Sequence, residues 1–147
     1  MKTIPGDRLT KLVGERLNIQ PFLSDQDNAV STLPWLLDAS LPAFHKFLGQ
    51  LSVLGYDQEC WDCDDFALAF MFFNRMLHAR TQSGLLGKKC GIAVGQMWFK
   101  RASGGGHAVN VAIVDDERLV LIEPQPTQNP LLTLTLEEEQ SCEFCQF

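Results

Sequence analysis

The chain has 147 residues, 46% of them apolar and 20% charged, with a net charge of -6. That composition belongs to a globular protein, and the length predicts one domain across residues 1–147. No apolar run reaches the roughly 18 residues that cross a bilayer. The N-terminus carries no apolar signal core, and no basic cluster is offered to phosphate. A cytoplasmic protein with no membrane and no nucleic-acid partner is expected.

The first 80 residues or so read as helical. Leu9, Leu12, Val13 and Leu17 fall on one helical face between Asp7 and Gln20. Pro34 breaks the stretch from Asp25 to Asp38, and Pro42 marks a new start. Phe44, Phe47, Leu48 and Leu51 predict a helix over 43–54, with Gly55 as its C-cap. The next segment, CDDFALAFMFFNRMLHAR from Cys63 to Arg80, has no Gly or Pro. Asp62 suits its N-cap, and Asp64 and Asp65 suit its first turn. Being apolar almost all round between Phe66 and Phe73, it predicts a buried central helix.

From about residue 88 the pattern changes to strands. Strands are predicted over 90–99, 107–114 and 118–123, with a fourth over 131–136. A glycine-rich turn covers 101–106, and Asp115 and Asp116 form the next turn. Helices followed by an antiparallel sheet predict an α+β fold.

Five cysteines are an odd number, and a chain of this length folds without a disulfide framework. Cys63 begins the predicted central helix, where free backbone N–H groups and the helix dipole favour the thiolate. Asp62, Asp64 and Asp65 oppose that, because like charges disfavour ionisation. A positive partner is therefore needed. His78 lies on the same helix, roughly 22 Å away at about 1.5 Å per residue, too far to serve. His45 sits in the preceding helix and stays open. His107 follows three glycines at the start of a strand, which makes it the best partner. With the next turn centred on Asp115, His107 faces Glu123 across the hairpin, with Gln125 as the fallback register. A thiol, an imidazole and a carboxylate are the parts of a Cys-His-acid triad.

The segments WDCDDFA, GGGHAVNVAI and LIEPQ, within residues 55–126, resemble the papain-like domain of fungal agglutinins of the Marasmius agglutinin type. The resemblance implies a papain-like cysteine peptidase acting on a peptide or protein substrate. It implies Cys63 as nucleophile, His107 as base and Glu123 as orienting acid. Peptidase activity in that family depends on calcium near the active site, and Asp64 and Asp65 match the acidic positions after the nucleophile. No sugar-binding repeat lies upstream, so lectin activity is not carried over. Such enzymes build the oxyanion hole from the cysteine N–H and a side-chain donor just upstream. Here that donor is Gln58, with Tyr56 and Trp61 also in reach. The chemistry expected is hydrolysis of peptide or amide bonds through a thioester, and acyl transfer would use the same residues. The rival reading is a non-catalytic binding module, in which Cys60, Cys63, Cys142 and Cys145, two CxxC pairs, hold a structural zinc.

Overall fold

The computed structural model describes residues 2–57, 60–82 and 89–147. A short strand, β1 (Thr3–Pro5), leads into α1 (Gly6–Leu17), which buries Leu9, Val13 and Leu17 on the face read from their spacing. The chain returns as β2 (Asp27–Ala29), antiparallel to β1, and β2 later pairs in parallel with β3 (Gly91–Ile92). This three-stranded sheet was not foreseen. Its strands are two or three residues long, too short to show a period.

One π-helical turn, Trp35–Ser40, runs directly into α2 (Leu41–Gln50). Pro42 has no N–H and its ring crowds the carbonyl four residues back, so the turn before it widens, with Leu41 N–H donating to the Leu36 carbonyl. The new start expected at Pro42 is therefore a continuation through a wider turn. The C-cap also differs from expectation. Ser52, at φ 60°, takes the left-handed position predicted for Gly55. Ser52 N–H donates to the Gly49 carbonyl and Val53 N–H to the Leu48 carbonyl, which is a Schellman closure.

The long helix α3 spans Cys63–Gln82. Asp62 accepts from the Asp64 N–H, and Asp65 accepts from the Asp62 N–H, so two carboxylates cap the helix reciprocally. α3 is buried on one side only. Phe66, Phe70, Met71 and Asn74 face inward, while Leu68 and Phe72 are about half exposed, at 49% and 58%. The expected buried central helix is thus a helix lying on a sheet, with its N-terminal Cys63 half-buried.

That sheet holds β4 (Val94–Lys100), β5 (Gly106–Ile113), β6 (Leu119–Ile122), β7 (Leu131–Leu132) and β8 (Phe144–Gln146), in the order β7-β6-β5-β4-β8. Every pairing in it is antiparallel. The predicted fourth strand survives only as β7. Thr135 then caps a short helix, α4 (Leu136–Gln140), through a capping box with Glu138. The sheet has a core on each face. Val109, Val111 and Ile113 pack with α1, while Ala112 and Val114 pack with Phe66 and Phe70 of α3 and Phe44 of α2. Side chains alternate between faces along β5, and this alternation produces the two layers. An N-terminal helical region packed on a C-terminal antiparallel sheet agrees with the α+β expectation.

Asn110 joins the layers. It is fully buried, and its Nδ2 donates to the Ala67 carbonyl in α3 and to the Gly95 carbonyl in β4, both at 2.8 Å.

Phe70 is 0% exposed, with its ring centroid 5.2 Å from that of Phe44. Phe70→Ala should cost about 3–5 kcal/mol through lost burial and a residual cavity. Urea unfolding checks this, with a lower midpoint and an unchanged slope as the expected result.

Candidate functional site

β5 begins at the glycine turn, in which Gly104 and Gly105 adopt positive φ and Arg101 N–H donates to the Gly105 carbonyl. His107 is the second residue of β5 and is 7% exposed. Its Nε2 lies 2.7 Å from Oε2 of Glu123. The pair forms although the hairpin register differs from the one expected. Asn110 pairs with Ile122 rather than Val120, a shift of two residues. The cause is the turn. Glu117 N–H donates to the Val114 carbonyl, Val114 N–H donates to the Arg118 carbonyl, and Glu117 takes φ 61°. One extra left-handed residue thus enters the loop, as in three-residue hairpins with a bulge. A two-residue shift keeps every side chain on its face. Glu123 therefore stays on the His107 side and reaches the ring diagonally.

Glu123 is held at several points. Its second carboxylate oxygen accepts from the Gln125 N–H at 3.2 Å, and its own N–H donates to the Pro130 carbonyl at 2.8 Å. Nε2 of His45 lies 2.8 Å from the Pro124 carbonyl, which ties α2 to the residue after Glu123. His45 therefore acts on the acid's segment and does not face Cys63. No local sequence signal foretells that contact, because it joins residues 79 apart. His78 bonds the Cys90 carbonyl at 2.9 Å, well away from this site.

Cys63 opens α3 and shares a cleft of about 360 Å³ with His107, Ala108 and Trp98. Asp62, Asp64 and Glu143 also line it. Cys63 comes from the α3 face of the sheet, while His107, by alternation with Val109 and Val111, belongs to the other face. Both line the cleft at the strand ends. Among the described residues no hydrogen bond joins Sγ of Cys63 to the His107 ring. Burial pushes the Cys63 thiol above its ordinary pKa, with the charges of Asp62 and Asp64 adding to the rise. The Ala108 backbone N–H and the residue's own N–H pull the other way. Asp64 is also raised, first by its side-chain hydrogen bond to Asp62, then by burial and the Asp62 charge.

Ligand atoms of Asp62, Cys63 and Asp64 all lie within 4.8 Å of one another, the one group of this kind among the described residues. Asp65, expected beside Asp64 as a cation ligand, is occupied in the helix cap. Gln58 lies outside the described residues. Trp61 turns its ring edge-on to Phe66 and lines a different, apolar hollow with Leu68 and Phe72. Tyr56 is exposed.

The four cysteines of the two CxxC pairs do not come together, which overturns the zinc reading. Cys60 is exposed and Cys145 is buried in the core opposite Met97. No three of these four thiols fall in one cluster of possible ligand atoms among the described residues, and burial raises the pKa of both Cys142, to about 11, and Cys145.

No protein-family model matches the chain, and no curated protein matches it. Solved structures do. The crystal structure of Polyporus squamosus lectin bound to a human-type influenza-binding epitope superposes with a TM-score of 0.71 at 18% identity, covering 99% of this chain and 49% of the lectin. A PSL1a–E64 complex gives 0.73 at 20% identity, covering 99% and 51%. The chain spans about half the length of the structures it matches, and at this identity the likeness is one of fold.

Removing one of the charges that oppose the thiolate should show directly. In Asp64→Asn the alkylation rate of Cys63 by iodoacetamide, followed against pH, should rise at lower pH than in the parent chain. Mass spectrometry of the labelled peptide reads the shift.

Proposed function

We propose that the chain is a papain-like cysteine hydrolase of peptide or amide bonds, with Cys63 as nucleophile, His107 as general base and Glu123 as the acid that orients the ring. One observation carries the reading. A buried imidazole sits 2.7 Å from a carboxylate and opens onto the cleft that holds a helix-N-terminal thiol. With Nε2 turned to Glu123, Nδ1 is the ring nitrogen available to the thiol. The E64 complex of a protein with this fold supports the same reading.

In the reaction, Nδ1 takes the proton from Cys63 Sγ and the thiolate attacks the carbonyl carbon. Glu123 faces the imidazolium so formed. The C–N bond breaks as the imidazolium protonates the leaving amine, which leaves a thioester. Water, deprotonated by His107, then attacks the thioester and releases the acid and the free thiol. The Cys63 N–H at the start of α3 is the proposed first oxyanion donor, and Gln58 is the proposed second. Burial and the Asp62 and Asp64 charges raise the thiol pKa, so the proton that His107 takes is held more firmly than on a free cysteine. The thiol and the ring must close to about 2.6–3.2 Å, looser without substrate, for this transfer.

The calcium dependence implied by the resemblance fits the acidic end of α3. Asp64, held above its usual pKa against Asp62, has a carboxylate partner already in place for a cation. Asp65 would join only by giving up its cap. Asp62 and Asp64 would hold a divalent ion there, and its charge would offset the carboxylates that oppose the Cys63 thiolate.

Cys63→Ala should abolish hydrolysis of a casein or peptide substrate, a loss of roughly 10³-fold or more. Glu123→Gln should lower kcat by about 10²–10⁴-fold with a smaller change in KM. Undiminished cleavage by the Cys63 variant would reject the proposal. Calcium, added after chelation, should raise both the rate of hydrolysis and the rate of Cys63 alkylation at pH 7.

A further inference from the structure

The two sides of the Cys63 cleft differ in a way that the triad does not use. On the sheet side stands Trp98, 43% exposed although it lies within a strand. Its direct neighbour on β5 is Ala108, whose single methyl leaves the space beside the indole open. Its neighbour on β8 is Phe144, with ring centroids 5.4 Å apart, and Phe144 packs on Phe22 at 6.0 Å. The indole is thus braced from behind while the rest of it meets solvent. Glu143 precedes Phe144 and is anchored there by its N–H, which donates to the Trp98 carbonyl at 2.9 Å. Its side chain lines the same cleft. Asp62 and Asp64 stand on the opposite side. Among the described residues the cleft is lined by three carboxyl groups and by no lysine or arginine.

We infer that this cleft takes a cationic side chain, lysine or arginine, of a peptide substrate, held between the Trp98 indole and the Glu143 carboxylate. An indole face attracts an ammonium or guanidinium, and a carboxylate beside it adds direction. A concave site lined by one sign of charge also concentrates ligands of the opposite sign. Lys100 bonds Glu143 at 2.6 Å, but both side chains are more than half exposed. Such a pair is weak and screened by salt, so a substrate cation displaces it. The inference names the substrate class for the hydrolase reading, while capture of the cation stands apart from the chemistry that follows.

Two measurements on the full chain test it, the first in chelator and the second with calcium present. The first uses methanethiosulfonates of equal size, one bearing a trimethylammonium group and one a sulfonate, with the rate of mixed-disulfide formation at Cys63 read by mass spectrometry. After normalisation to a small free thiol, the cationic reagent should react about tenfold faster or more. Glu143→Gln and Trp98→Leu should each cut that preference by about threefold. A ratio near one, or a preference unchanged by both variants, overturns the inference. The second compares peptides that differ only in Lys against Glu beside the scissile bond. The lysine peptide should have the higher kcat/KM by about tenfold, and equal or reversed values overturn the inference. If no peptide is cut while the cationic reagent stays favoured and sensitive to Glu143, the hydrolase reading fails and the cation site stands.

Discussion

The side-chain amide of Asn110 is the joint on which the arrangement turns. Both of its N–H donors are spent on carbonyls of different elements, Ala67 in α3 and Gly95 in β4, with no exposure to solvent. Such bonds are strong in a dry interior and costly to leave unmade. They set the height of α3 on the sheet. Cys63 begins the same helix four residues before Ala67, and His107 lies three residues before Asn110. One buried amide therefore fixes the frame in which thiol and imidazole approach. Ser40 and Asn74 repeat the device further along, where the Ser40 hydroxyl donates to Asn74 Oδ1 at 2.7 Å and links the π-helical turn to α3.

Within that frame the charges at the head of α3 serve two ends. Asp62 and Asp65 cap the helix and satisfy N–H groups that have no partner in its first turn. The same acidity works against ionisation of Cys63. A thiol placed to gain from a helix N-terminus thus has its pKa raised by burial and by the carboxylates beside it. The His107–Glu123 pair belongs to the other face of the sheet, and His107 lines the same cleft as Cys63. Acidity around Cys63 thus opposes its ionisation while giving the cleft a negative lining.

Much of this was legible in the residue order. The spacing of Leu9, Val13 and Leu17 marks the buried face of α1, and the run from Cys63 marks α3. Glycines before His107 and alternation after it mark β5. The meeting of His107 with Glu123 was legible for a reason of geometry. A hairpin slip of two residues preserves the face of every side chain, so an error in register left the partner unchanged. The zinc reading failed because CxxC spacing says nothing about where the second pair travels. β8 carries Cys145 into the core beneath β4.

By itself, then, the sequence determined the elements whose patterns are local: amphipathic helices, alternating strands, a capped acidic helix start and glycines where the chain must turn. It also determined which residue types were present for chemistry. Only the tertiary structure decided what distant segments do to one another. It set β8 beside β4, braced Trp98 on Phe144, bonded His45 to the Pro124 carbonyl and left the four cysteines apart. Those outcomes depend on packing between residues as much as 79 positions apart, whose energies arise only once the intervening chain has closed. A pattern read in short windows contains no term for them.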